Sequence, residues 1–439
     1  MAVTFSSRRV RICLATLTTM TSFYVIIVLY MVSYNFLQNE NIMATYFVGR
    51  GGYQSHRRAT QYRIQHNSNC TQKKNFVFIK GMKCATSTLL GVFYRFGYTR
   101  NLSFVSPLKQ NLWLNWPYPM TLRDFRPSSR GYNILTDHSI YTENVMRSIM
   151  PEDTVYISII REPFSQLKSL FQYFQIAAKA GVPKDVDNPV VEYFTHLKKY
   201  ESAYKAPGNK ERGCIPEGFS LTKNLMSHCH GMPLGFPPGA KDISNDTEAI
   251  QSYIKHLDSK FSLIMIREYF YESLILLRRL MCWTLKDILF INYNIAKYAF
   301  KTAPVPENIL DLHKQWSNAD YMLYNYFNTT FWKHVSNQGP EFVSELETFK
   351  NMERLVQDYC TKIYTYGKGH SYPVNMSKIV LDETKWNVQF SISSEDCWVL
   401  GPNPYDLLHV VQRDNDVKEA HLLAEQNKIP DNRTMKGGC

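Results

Sequence analysis

Short runs of apolar, β-prone residues alternate along the middle of this chain with segments whose apolar side chains recur every three or four positions. Phe76-Val77-Phe78-Ile79 is the first run and predicts a buried strand; Leu89, Val92, Phe93 and Phe96 then share one helix face. Tyr132-Asn133-Ile134-Leu135 predicts a short second strand. Residues 154–160, apolar and free of turn residues, predict a third. Phe164, Leu167, Leu170, Phe171 and Phe174 continue at helical spacing, with Pro163 suited to a first turn. Residues 261–266, followed by Phe270, Leu274, Leu277 and Leu280, repeat the plan. Strands alternating with helices predict an α/β fold with a parallel sheet covered on both faces and ligands at the carboxyl ends of the strands. Past residue 282 the pattern is helical, around Trp316 to Phe327 and again from Glu341 to Tyr359. From Tyr364 the period fades, and the tail is expected to be exposed and loosely ordered.

The N-terminus follows a different pattern. Arg8, Arg9 and Arg11 precede an uncharged run, 12–34, long enough to cross a bilayer and ending in Tyr30-Met31-Val32-Ser33-Tyr34 rather than in the small residues of a cleavage site. The expectation is a signal-anchor, with 1–11 cytoplasmic and everything beyond it lumenal. Residues 35–74 hold no sustained period and read as a stem; 75–363 read as one catalytic domain and 364–439 as a C-terminal extension. Sequons at Asn69, Asn101, Asn245, Asn328, Asn375 and Asn432 agree with a secretory-pathway glycoprotein. Besides Cys13 in the anchor and Cys84, seven cysteines remain. The odd count leaves at least one of them free or paired between chains, and the connectivity is open.

A formal charge of +12, spread along the chain and not gathered in blocks, argues for anionic ligands and against nucleic acid. The place for an anion is Lys80-Gly81-Met82-Lys83-Cys84-Ala85-Thr86-Ser87-Thr88, a loop between the first strand and its helix. Such a loop aims backbone N–H groups and a helix dipole at whatever sits above it, and its small residues let a phosphate come close. It lacks the second glycine and the lysine–hydroxyl pair of a nucleoside triphosphate loop, so Mg²⁺-dependent phosphoryl transfer is disfavoured. A second anion element stands at the third strand end, where Arg161 and Ser169, two turns along the same helix, could grip one group. A ligand with phosphates at two ends is implied. His138, beyond the second strand, is placed for a general base. Glu162 reads as a structural partner. His228, Cys229 and His230 lie too close together for a tetrahedral zinc set, and no metal is expected. Trp316, Tyr324 and Trp332 fit a core better than a sugar platform.

K-x-x-K-x-A-x-S-T after a strand, with R-E-P-x-x-x-x-x-S-x-F-x-Y-F after another, resembles the Golgi sulfotransferases that use 3′-phosphoadenosine 5′-phosphosulfate (PAPS). Within them the galactose 3-O-sulfotransferase family matches best, over about residues 75–363. Further matching stretches are 266–274, 280–283, 328–333 and Trp316 with Asp320 and Tyr324. The resemblance implies that Lys83, Ser87 and Thr88 hold the 5′-phosphosulfate and that Arg161 and Ser169 hold the 3′-phosphate, and Lys80 and Ala85 of the same loop are expected among the donor-binding residues. It also implies that His138, which matches the histidine of a family stretch N-H-M-R-F, removes the acceptor proton. Where the family has Thr-His-Lys-Thr, this chain has Gly81-Met82-Lys83-Cys84. The implied enzyme is a Golgi type II membrane sulfotransferase acting, without metal, on the 3-hydroxyl of a terminal β-galactose of a glycolipid or glycoprotein, with homo-oligomerisation left open. Alternatives are another glycan acceptor, such as a uronic acid or hexosamine of a glycosaminoglycan, or a non-catalytic glycan-binding membrane protein.

Overall fold

The computed structural model describes residues 70–108, 111–292, 298–367, 377–401 and 404–426. The run 12–34, nearly all of the stem, and the sequons at Asn69, Asn375 and Asn432 lie outside the described residues. Among the described residues no helix is long and apolar enough to cross a membrane.

Four parallel strands form the centre: β1 (Phe76–Lys80), followed by helix α1 (Thr86–Tyr98); β2 (Ile134–Leu135); β3 (Val155–Ile160), followed by α2 (Pro163–Phe174); and β4 (Leu263–Ile266), which α3 (Thr247–Lys260) precedes and α4 (Phe270–Met281) follows. Their order across the sheet is β2-β1-β3-β4. Phe76 stands level with both Ile134 and Val155, and Ile157 with Leu263. Every strand residue is buried, as expected of parallel strands covered on both faces, which is why they read as unbroken apolar runs. Phe76 and Phe78 pack on Phe93 at ring separations of 5.1 and 4.9 Å, and Phe96 stacks on Trp283 at 3.9 Å.

Two further helices, α5 (Asn318–Ser336) and α6 (Glu341–Gly367), complete the main core. A second apolar cluster gathers α2 with Trp116, Tyr193, Tyr200, Tyr204 and Leu225. The pair β5 (Ile379–Leu381) and β6 (Phe390–Ile392) is antiparallel. Helix α7 (Pro404–Lys418) lies against α1. Leu407, Leu408 and Val411 are buried, and Arg126, itself buried, pairs with Asp416 at 2.5 Å. The expectation of a loosely ordered tail is therefore corrected over 377–426: three apolar side chains and a charge pair suffice to seat α7, although its sequence carries too many polar residues to show a helical stripe.

Cys70–Cys282 ties the chain ahead of β1 to the end of α4, and Cys360–Cys397 ties α6 to the segment after β6. Cys214 is also disulfide-bonded, whereas Cys84 and Cys229 are free and buried. Cys229 is thus a free thiol among the seven whose odd number the sequence exposed.

Candidate functional site

Because β2, β1 and β3 are adjacent and parallel, their carboxyl ends bring three separate turns to one edge of the sheet. Lys83 follows β1, His138 follows β2 and Arg161 follows β3, and their charges act on one another. Burial lowers the Lys83 pKa, and the Arg161 charge lowers it further. The His138 pKa is lowered well below the ordinary imidazole value by burial, then by Lys80 and Lys83.

The loop between β1 and α1 has its shape set by its neighbours. A Cβ on Gly81 would lie 2.5 Å from the Ile159 carbonyl oxygen of β3, so this departure from the family pattern sits where only glycine fits. Met82 and Cys84 turn inward and are buried; Gln166 of α2 donates to the Met82 carbonyl at 3.1 Å, and the Cys84 thiol lies 3.8 Å from the Met226 sulfur. These two departures pack the core here. Lys83, between them, turns outward and rests over the Tyr173 ring at 3.8 Å. Lys83 and Ala85 have φ of 61° and 62°, backbone strain of the kind that gathers N–H groups into an anion-binding concavity.

The two helix starts at this edge are treated differently. The Glu162 carboxylate caps α2, accepting from the amides of Phe164 at 2.9 Å and Ser165 at 2.6 Å, which is the structural part expected of it. At α1 the N-cap is Ala85 and no side chain caps the helix. The Thr88 amide donates to the Ala85 carbonyl at 3.2 Å, which leaves the Thr86 and Ser87 amides for an outside acceptor, with the half-buried Ser87 and Thr88 side chains beside them. The Lys80 ammonium is fully buried beneath the loop with no hydrogen-bond partner. Burial lowers its pKa; Asp137 acts in the opposite direction. Asp137 accepts a hydrogen bond from the Tyr94 hydroxyl, and burial raises its pKa.

Arg161 donates from one terminal nitrogen to the Lys83 carbonyl at 3.1 Å, while its Nε is buried without a partner. Arg267, exposed at the end of β4, is near enough to help lower the Arg161 pKa, after burial. Ser169 is half-buried on α2. His138 is buried, stacks on Trp113 at 4.3 Å, and has no partner for its Nδ1. Its backbone pairs with Leu112 and Leu114 at 2.8 Å each.

Other groups are committed to structure. The His228 ring bonds the Pro117 carbonyl at 2.8 Å, and the His230 ring sits between Ser158 at 2.8 Å and the Met226 carbonyl at 2.7 Å. Among the described residues no group of three or more His, Cys, Asp or Glu could hold a metal. Trp316 donates its indole N–H to Thr222 at 3.1 Å. The buried Asp320 accepts from the Met226 and Ser227 amides at 3.2 and 2.7 Å, and burial pushes its pKa up to about 6. Asn101 and Asn245 are exposed; Asn328 lies half-buried inside α5 with its Oδ1 buried and unpartnered. Sequence reasoning missed Trp113, Gln166 and Arg267 as neighbours of the site. Only Arg267, a cation directly after a strand, carried a local signal.

An uncapped helix start, a buried ammonium and a guanidinium Nε without partners, and a buried imidazole thus stand at adjacent parallel strand ends of an α/β protein. The family described as galactose-3-O-sulfotransferase matches residues 6–368, and the chain belongs to that family. It is 28% identical over 302 residues to human galactosylceramide sulfotransferase, covering 66% of this chain and 65% of that protein. Against mouse galactose-3-O-sulfotransferase 3 the identity is 30% over 264 residues, covering 60% and 57%. Against pig galactose-3-O-sulfotransferase 2 it is 29% over 299 residues, covering 66% and 69%. The chain thus spans under two thirds of the first two of these relatives.

Proposed function

We propose that this protein transfers a sulfuryl group from PAPS to the 3-hydroxyl of a terminal β-galactose on a glycolipid or glycoprotein. The observation that carries the proposal is the meeting of Lys83, Arg161 and His138 at adjacent strand ends below the uncapped start of α1, in a chain of this family. The residues present fit a donor with phosphates at two ends. Lys80 Nζ and Arg161 Nε are buried without partners, and an anion on the cradle would satisfy the free α1 amides as well.

On this reading Lys83, Ser87, Thr88 and the amides after Ala85 hold the 5′ end, Lys80 adds charge from below, and Arg161 with Ser169 holds the 3′-phosphate. When bound, the donor supplies an SO₃ group whose bond to a phosphate oxygen breaks as the sugar oxygen bonds to sulfur. Lys83 stands where the leaving phosphate gathers charge, the electrostatic contribution that is commonly the largest. His138, kept neutral by burial and by the lysines, takes the hydroxyl proton. Sulfuryl oxygens carry less charge than phosphoryl oxygens, so cations and amides can serve where a kinase uses Mg²⁺. The arginines before the run 12–34 and the sequons support a Golgi, type II membrane setting with a lumenal catalytic domain.

The test is incubation of the purified full-length chain with radiolabelled PAPS against galactosides, glycosaminoglycans and acceptors whose galactose 3-hydroxyl is blocked. Label on the free galactosides alone is the expected result. Label on glycosaminoglycans would favour the other acceptor class, and no transfer to any acceptor would favour a non-catalytic glycan binder.

A further inference from the structure

Tyr173 sits one turn beyond Ser169 on α2, is 62% exposed, and packs edgewise on Phe174 at 4.9 Å. Lys83 lies over one face of its ring, 3.8 Å from the centroid, so the exposed ring borders the point at which, on the reading above, the leaving phosphate is stabilised. Any hydroxyl that reacts there must be carried to the same point by its own sugar ring. An exposed aromatic face beside a charged centre offers a pyranose an apolar surface that the lysines and backbone amides cannot.

We infer that Tyr173 is the acceptor subsite's platform, taking the apolar face of the galactose whose hydroxyl is presented to the centre at Lys83 and His138. This rests on the function proposed above and adds to it a residue that sets acceptor preference. The axial 4-hydroxyl of galactose leaves the hydrogens of C3, C4 and C5 on one continuous face, which suits a flat ring. An equatorial 4-hydroxyl, as in glucose, does not.

Steady-state kinetics on Tyr173→Ala and Tyr173→Phe test this, together with two binding measurements that need no turnover. These are calorimetry with adenosine 3′,5′-bisphosphate and saturation-transfer NMR with a methyl β-galactoside in the presence of that nucleotide. Tyr173→Ala should raise the acceptor KM about tenfold, as loss of a stacked face of this size implies, change kcat less, and abolish saturation transfer to the C3–C5 face. Nucleotide affinity should stay within about threefold, since a cation–π contact at an exposed site is weak, and Tyr173→Phe should restore the acceptor KM. Melting temperatures confirm folding, and Tyr173→Gln repeats the test without shortening the side chain. An unchanged acceptor KM in both Ala and Gln variants would overturn the inference, as would a loss of nucleotide affinity alone. Failure of the wild-type chain to sulfate any galactoside would instead remove the function on which the inference rests.

Discussion

At the scale of single residues, the decisive fact about His138 is that it is buried beside two lysines. Its pKa is depressed by burial, then by Lys80 and Lys83, so the free protein holds it neutral well below pH 6.5. An anion on the cradle offsets the two lysine charges but not the burial, and so raises the pKa part of the way back. kcat/KM for the donor reports the free protein and kcat the loaded one. The acid limb of kcat/KM should therefore lie at lower pH than the acid limb of kcat, and His138→Ala should lose both while lowering kcat by about 10²- to 10⁴-fold. A mutant with wild-type rates and limbs would assign the base elsewhere. Arg161 is read through binding instead. Its unpartnered Nε predicts that Arg161→Ala weakens adenosine 3′,5′-bisphosphate binding by about 1.5–3 kcal/mol, checked by calorimetry on protein whose melting is unchanged. Lys83, His138 and Arg161 could be found in the sequence because each lies within three residues of a strand end. Whether the residues around them face ligand or core could not: Met82 and Cys84 alternate with Lys83 in the chain, and only the approach of α2 and Met226 turns them inward.

Among the elements, those that announced themselves bury one continuous apolar face. β1, β3 and β4 are buried throughout, α1 and α4 each lay one apolar face in the core around them, and α2 turns its apolar face to the second cluster, so period and burial coincide in all six. β2 is only Ile134–Leu135: ahead of it the Asn133 amide donates to the Ser103 carbonyl at 2.9 Å, and the Tyr132 and Asn133 side chains bond the Arg126 carbonyl at 2.7 Å and Asn75 at 2.8 Å. Helix α7 escaped notice because much of what holds it is polar. The Gln412 side chain donates to the Asn111 carbonyl at 3.1 Å, and Asp416 meets the buried Arg126. Asp416→Asn keeps the size and removes the charge opposite that guanidinium. It should cost about 1.5–3 kcal/mol, the range for a hydrogen bond to a charged group, measured by chemical denaturation. A change within ±0.5 kcal/mol, the level of an ordinary surface substitution, would mean that α7 is seated by its apolar residues alone.

For the whole molecule, two consequences extend beyond the site. Asn101 and Asn245 are exposed, whereas Asn328 is half-buried within α5. In secretory-pathway material, Asn101→Gln and Asn245→Gln should each remove one glycan from the mass released by deglycosylation, and Asn328→Gln none. A glycan mapped to Asn328 by mass spectrometry would contradict that placement. The second consequence is acid sensitivity. Burial lowers the pKa of His138 and of His334, and pushes those of His228 and His230 down to about 4 and that of His313 to about 3. A histidine kept neutral in the fold but free to protonate in the unfolded chain contributes stability that is complete above pH 6.5. That stability is lost as pH falls toward the folded value, at about 1.4 kcal/mol per pH unit for each group. Asp137, Asp320 and Glu353 act oppositely. Burial raises their pKa values, so over the same range they bind protons in the fold that the unfolded chain would not. Five histidines against these three carboxylates leave a net uptake of protons on unfolding below pH 6.5, so stability must fall as the solution is acidified. The melting temperature should decline steadily from pH 6.5 to pH 4.5. His313→Gln, in a side chain that meets Tyr321 at 2.9 Å, should flatten that decline even though it lowers the melting temperature at pH 7. A profile flat over the range would mean that the carboxylates, not the imidazoles, govern how the fold responds to acid.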